Sequence, residues 1–271
     1  MKNRINIDGT LMTTPPAQGW AGRGFRYGDG LFETIRLEGG RMPLLRYHVA
    51  RLQRGLAYLG MTDGARYAEA WMEEQVAVLA GDRGTGRVRL IVSRAGEGTY
   101  GPTADHSRFV LEYQPQAFSA TGWRGPDLRV GISQRLRMPT HALSNCKTTS
   151  ALAYVQAARE RRAAGWDEIL LLNWHGRVSE GGYTNVFVRH DGTWRTPPPT
   201  EGGVSGVLRA YLLDRAAERG VPVLEAPIPV TLLRNAEAIV CTNAVNGVHA
   251  VTELEGRAYD AAPVAELLRG F

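Results

Sequence analysis

Lys147 stands in an uncharged string, Ser144-Asn145-Cys146-Lys147-Thr148-Thr149-Ser150. Among neutral groups the free amine of a lysine is favoured, because burial penalises the ammonium. A free amine attacks an aldehyde carbon and forms a Schiff base. Glu180 follows 33 residues later, in Val178-Ser179-Glu180-Gly181-Gly182. A carboxylate beside a pyridine nitrogen keeps that nitrogen protonated and turns the ring into an electron sink. A third stretch, Gly202-Gly203-Val204-Ser205-Gly206-Val207-Leu208-Arg209, is a glycine-rich lead into a helix. Ser205 is the expected N-cap there, and the freed backbone N–H groups suit an anion. Lysine, acid and anion-ready helix start are the parts needed to hold pyridoxal phosphate. Each also has a plainer reading: a surface lysine, a solvated strand-end glutamate, an ordinary turn. Cys146 has no evident base and reads as a buried structural thiol.

The elements that must position these residues follow from periodicity. Residues 5–12 read as strand, Asp-Gly turn, strand. A glycine-rich loop over 22–30 leads into an alternating strand. Val49, Leu52, Leu56 and Leu59 mark an amphipathic helix near 46–59, and Ala68, Met72, Val76 and Leu79 a second. Strands are expected over 87–93, 109–113, 128–133, 169–173, 186–189 and 239–242. Helices are expected over about 148–164, so that Lys147 opens one, and near 261–269. A cation at a helix N-terminus is electrostatically disfavoured, which suits a neutral lysine there. Another helix, with Ala210, Leu213 and Ala217 on its core face, follows the glycine-rich lead. Strands alternate with helices but hairpins are frequent, so the fold class is α/β with an α+β character and mixed or antiparallel sheets. Periodicity lapses between Gln114 and Gly125. The expected division is a small N-terminal domain (1–116), a linker (117–126) and a larger C-terminal domain (127–271).

Bulk properties narrow the function classes. The chain has 271 residues, 44% hydrophobic and 22% charged, the proportions of a soluble globular protein. No apolar run is long enough to span a membrane, and the basic start lacks the apolar core of a secretory signal. Two distant cysteines give neither a disulfide framework nor metal-ligand spacing, and point to a cytoplasmic location. The net charge of +5 comes mostly from arginines dispersed among acids, which fits an anionic small substrate better than nucleic acid.

The order of motifs resembles the class IV aminotransferase family, the fold-type IV pyridoxal-phosphate enzymes, with branched-chain aminotransferases, D-amino-acid transaminases and aminodeoxychorismate lyase among its members. The resemblance is carried by Tyr27-Gly28-Asp29-Gly30-Leu31-Phe32-Glu33-Thr34-Ile35-Arg36, by residues 48–52, and by Lys147. It continues through residues 167–173, 176–181, 185–187, 196–198, 206–209 and 242–244. It implies a small N-terminal α/β domain, a larger C-terminal pseudobarrel domain, a pyridoxal 5'-phosphate cofactor and a homodimer. It makes Lys147 the Schiff-base lysine and Glu180 the partner of the pyridine nitrogen. It assigns phosphate to Arg51 and the Val207 N–H, within a cradle of Ser205, Gly206, Leu208, Asn243 and Ala244. Tyr27 and Phe32 match positions lining the substrate pocket. Many members carry threonine where this chain has Leu208, and a hydroxyl near Ala244. Many also carry a tyrosine soon after the lysine, where this chain reads Ala151-Leu152 and its Tyr154 is displaced.

Two reactions share the first steps. Lys147 removes the α-proton of a bound amino acid as general base. Reprotonation on the cofactor gives transamination, between a D- or branched-chain-type amino acid and a keto acid. Elimination gives 4-aminobenzoate and pyruvate from aminodeoxychorismate. The segments 28–30 and 242–244 resemble the lyases, but the loop Gly98-Thr99-Tyr100-Gly101-Pro102 lacks an arginine that lyases often carry. Transamination is therefore the first expectation and the lyase the alternative. A non-catalytic pyridoxal-phosphate or anion-binding protein is a further alternative. Arg26, Arg89, Arg94 and Arg137 are the candidates for a substrate carboxylate, which a guanidinium fork suits.

Overall fold

The computed structural model describes residues 4–12, 22–118, 123–221 and 223–268, and the chain divides into two units. The first comprises Met1–Phe118 and Cys146–Ala151, and the second Ser119–Asn145 and Leu152–Phe271. Of the expected linker, residues 119–122 lie outside the described residues.

In the first unit, β1 (Arg4–Ile7) and β2 (Thr10–Met12) form an antiparallel hairpin. Asp8 and Gly9 turn it with φ of 48° and 92°, the paired positive values that an Asp-Gly turn tolerates. The short helix α1 (Arg23–Tyr27) leads into β3 (Gly30–Leu37), followed by helices α2 (Leu45–Tyr58) and α3 (Glu69–Ala80). Strands β4 (Gly86–Arg94) and β5 (Ser107–Pro115) complete an antiparallel sheet of order β2-β1-β5-β4-β3. Alternation sends Val88, Leu90, Val92, Phe109 and Leu111 to one face, where they meet Leu52 and Leu56 of α2 and Met72 and Val76 of α3. The other face carries Phe32 and Thr34 of β3 and Arg89 of β4, partly or fully exposed.

Lys147 lies in this unit, on the outer edge of β3. Its carbonyl accepts the Phe32 N–H at 2.9 Å, and Thr149 N–H donates to the Gly30 carbonyl at 2.9 Å, around an antiparallel bridge between Leu31 and Thr148. Two expectations are corrected here. Lys147 does not open a helix, since the next one, α4 (Leu152–Ala164), starts five residues later. Nor does all of 127–271 group together, because Cys146–Ala151 packs with the first unit. The reason is the same for both: Thr148, Thr149 and Ser150 are weak helix formers, and an open sheet edge offers their backbone partners.

The second unit is built on a nine-stranded mixed sheet. Its strands are β6 (Leu128–Met138), β7 (Glu168–Asn173), β8 (Val178–Gly181), β9 (Asn185–His190), β10 (Thr193–Thr196), β11 (Val223–Glu225), β12 (Ala238–Asn243), β13 (Gly247–Leu254) and β14 (Arg257–Ala258). The path runs β11-β10-β9-β12-β13-β6-β7-β8, with β14 paired to β13. Helix α5 (Val207–Glu218) follows the glycine-rich lead, and α6 (Val230–Arg234) and α7 (Val264–Leu268) are short. Strand β7 is buried throughout. Leu170 and Leu172 join a core with Ile132, Val178, Val188 and Ile239, while Ile169 and Leu171 pack with Met138 and Ala157 of α4. Burial on both faces explains its unbroken apolar run. Gly131 of β6 lets Trp166 cross the strand, since a Cβ there would lie 2.2 Å from the indole. Among the described residues no helix is long and apolar enough to cross a membrane.

Candidate active site

In the first unit, the Lys147 amine sits 4.4 Å from the centre of the Phe32 ring, and the Arg89 guanidinium 4.7 Å from the same centre. Register explains the Arg89 contact. Arg89 is paired with Thr34 across β3 and β4, so it shares a face with Phe32, two residues along. The guanidinium over an aromatic ring is a favourable arrangement. Gly28 lets the segment after the lysine approach: its φ is 65°, and a Cβ there would meet the Ser150 Cβ at 2.9 Å. Tyr27, at the end of α1, is partly exposed and lies 5.7 Å from the Tyr100 ring.

Arg51 is buried on α2 and held by Glu33 of β3. Its Nε donates to Oε1 at 2.8 Å and its Nη2 to Oε2 at 2.5 Å, while His48 Nδ1 lies 2.6 Å from Oε2. Burial alone would raise the Glu33 carboxyl, but the charge and hydrogen bonds of Arg51, with those of His48, hold it down at about 2. Burial, aided by the charges of Arg51 and Lys147, pushes His48 below its ordinary value against the pull of Glu33. The imidazole is therefore a neutral donor to the carboxylate.

The carboxylate-binding candidates separate clearly. Arg94 is buried, donating to Asp29 at 3.0 Å, to Asp105 at 2.9 Å and to the Leu59 carbonyl. It anchors the start of the following loop and is not presented to a substrate. Arg26 is exposed in the last turn of α1. Arg137, in the second unit, is exposed and bonds the Leu136 carbonyl at 2.7 Å beside an irregularity in β6. Of the four, Arg89 touches a residue that also contacts the lysine, Phe32. Arg23, not singled out from sequence, is buried and donates to Asp29 and to the carbonyls of Glu97, Gly98 and Thr99, which fixes the loop over 97–99.

In the second unit, Glu180 is buried on β8. Its Oε1 accepts the Tyr154 hydroxyl at 2.6 Å and its Oε2 the Val204 N–H at 3.1 Å. Burial, then the charge of Glu180, pushes the Tyr154 hydroxyl far above the usual phenol range, so it remains a donor. The turn after Glu180 is fixed by buried Glu168, which accepts from Gly182 N–H at 3.2 Å and Thr184 Oγ1 at 2.8 Å.

The glycine-rich lead is clamped by two asparagines. Asn145 Nδ2 donates to the carbonyls of Pro199 and Gly203, each at 2.8 Å, and its own carbonyl accepts Ser205 N–H at 3.1 Å. Asn185 Nδ2 donates to the Val204 carbonyl at 2.9 Å. A Cβ on Gly206 would lie 1.6 Å from Asn185 Oδ1, and one on Gly203 2.8 Å from the Ser179 carbonyl. The N-cap of α5 is Gly206, with no side-chain cap, and not Ser205 as expected. That leaves the helix start to backbone N–H groups, the arrangement that receives an anion. Val207 and Leu208 are buried, so the Leu208 side chain belongs to the core. Asn243 is engaged locally, donating to the Tyr183 carbonyl at 2.7 Å and accepting Val245 N–H at 2.8 Å, with Ala244 in the turn between.

Tyr154, Asn145 and Asn185 were not marked as site residues. The available signal was the placement of polar side chains beside the lysine and acid segments.

The family model for amino-transferase class IV matches residues 30–254. A putative branched-chain-amino-acid aminotransferase of Methanocaldococcus jannaschii is 28% identical over 253 residues, 91% of this chain and 85% of the relative. A D-alanine aminotransferase of Bacillus licheniformis is 26% identical, covering 87% of this chain and 82% of its own. The crystal structure of 4-amino-4-deoxychorismate lyase from Pseudomonas aeruginosa is 31% identical, with a TM-score of 0.80 over 98% of this chain and 96% of that one.

Proposed function

Since the chain belongs to the class IV aminotransferase family of pyridoxal-phosphate enzymes, we propose that it moves an amino group between an α-amino acid, of the D- or branched-chain type, and a keto acid. The observation that carries this reading is the placement of the Lys147 amine and the Arg89 guanidinium on one aromatic ring, Phe32. A proton-transfer group and a carboxylate fork then share one wall.

Bound pyridoxal phosphate supplies an electron sink for the α-carbon of the substrate. The residues present fit that group. The lead over 202–206 keeps backbone where Cβ atoms would collide, and it ends in a helix start without a side-chain cap, suited to a phosphate. Glu180, with both carboxylate oxygens hydrogen-bonded, suits a protonated ring nitrogen. Lys147 would hold the cofactor's aldehyde carbon, and its free amine would serve as the base for the substrate's α-proton. Arg51 and the Val207 N–H would hold the phosphate, Arg89 would orient the substrate carboxylate, and Tyr27 and Phe32 would flank its side chain. The protein works in the cytoplasm as a homodimer on small amino and keto acids.

The second reading is elimination from aminodeoxychorismate to 4-aminobenzoate and pyruvate. It is favoured by the 31% identity to the Pseudomonas aeruginosa lyase. A half-reaction separates the two. Amino acids of both hands, added singly, are expected to bleach the cofactor band at roughly 400 nm, and a keto acid to restore it. An unchanged spectrum with every amino acid, together with pyruvate release from aminodeoxychorismate, overturns transamination in favour of the lyase.

A further inference from the structure

Helix α4 presents Leu152 and Val155 to solvent, 69% and 52% exposed, but turns Tyr154 toward the sheet. The Tyr154 ring packs on the cluster of Met138, Ala157, Ile169 and Leu171. Leu171 of β7 is the cross-strand partner of Glu180 of β8, so the two side chains share a face. The tyrosine thus packs on an apolar cluster and ends on the Glu180 carboxylate. A carboxylate so buried is stable only when hydrogen-bonded, and Glu180 is held from opposite ends, by a helix hydroxyl and a loop amide. With both oxygens engaged, the carboxylate plane has one orientation.

We propose that Tyr154 is a positioning residue for the cofactor ring: its hydroxyl fixes the Glu180 carboxylate in the orientation that receives the pyridine N–H. This rests on the reading that Glu180 is the partner of the ring nitrogen. The phenol does not touch the ring or the substrate; it acts through Glu180. It also links α4 to the acid. Tyr154 is displaced from the place after the lysine where many family members carry a tyrosine, and it takes a different task.

The test titrates pyridoxal phosphate into the apo forms of wild type, Tyr154→Phe, Glu180→Gln and the double variant. Dissociation constants and the visible circular dichroism of the bound cofactor are read, with thermal melting of each apo form. Loss of one hydrogen bond to a charged group predicts about 10-fold weaker cofactor binding in Tyr154→Phe, with a smaller visible dichroism per bound cofactor. In the Glu180→Gln background the same substitution is expected to change affinity by less than about twofold, because coupled residues are non-additive. Affinity of Tyr154→Phe within about twofold of wild type overturns the proposal, including when only the melting temperature falls. So does an equal loss in both backgrounds. Failure of the underlying reading looks different: wild type itself then binds no pyridoxal phosphate, or Glu180→Gln binds it as well as wild type.

Discussion

Glu33 takes the Arg51 guanidinium on both carboxylate oxygens, at 2.8 and 2.5 Å, in a buried pair that joins β3 to α2. Removing one charge of such a pair leaves the other uncompensated. Glu33→Gln is therefore expected to lower the unfolding free energy by about 3–5 kcal/mol, measured by urea denaturation near neutral pH. The pH dependence has a definite sign. The folded-state value of Glu33 is about 2, against an ordinary 4.5, so its contribution is full above 4.5 and is lost as pH falls toward 2. The stability gap between wild type and Glu33→Gln should narrow over that window; a gap constant from pH 6 to 2.5 contradicts the assignment.

Arg89 and Arg94 lie on one strand but answer different tests. Arg89 is exposed beside Phe32, so Arg89→Ala is expected to raise the KM for amino and keto acids by about 10-fold, with an unchanged melting temperature. Arg94 is buried between Asp29 and Asp105. Its replacement by alanine should cost roughly 3 kcal/mol of stability. Reversed outcomes for the two variants would reassign the carboxylate site.

Gly206 has no room for a methyl group, because Asn185 Oδ1 occupies that position at 1.6 Å. Gly206→Ala must move the clamp on the lead into α5. Cofactor affinity is expected to fall by more than about 10-fold, since misplaced backbone N–H groups no longer converge on a phosphate. Equilibrium dialysis checks it, and near-normal affinity would remove this loop from the cradle.

Lys147→Ala is expected to abolish the cofactor band and turnover, while the protein stays folded. Borohydride reduction of wild type followed by peptide mass analysis should find the cofactor on residue 147. Its recovery on another lysine would refute the assignment. The altered side chain projects from the edge of β3, where the backbone bonds to Phe32 and Gly30 do not depend on it.

Much of the local structure was readable from pattern. The Asp8-Gly9 hairpin, the helix now seen as Leu45–Tyr58 and the buried run of β7 rest on turn chemistry and spacing between near neighbours. The helix expected from residue 148 failed because its first residues are claimed by a strand more than a hundred positions earlier, Thr149 reaching Gly30. Periodicity cannot register such a competitor.

From sequence alone came the kinds of group available: a lysine in a neutral string, a glutamate after a strand, a glycine-rich helix lead. Side-chain chemistry and short-range spacing are properties of the chain itself. Packing alone decided which groups are spent and which are offered. Arg94 meets Asp29 across 65 positions, and Tyr154 meets Glu180 across 26. Such partners are chosen by strand register and helix orientation, which bring distant residues within hydrogen-bond reach only once the cores have formed.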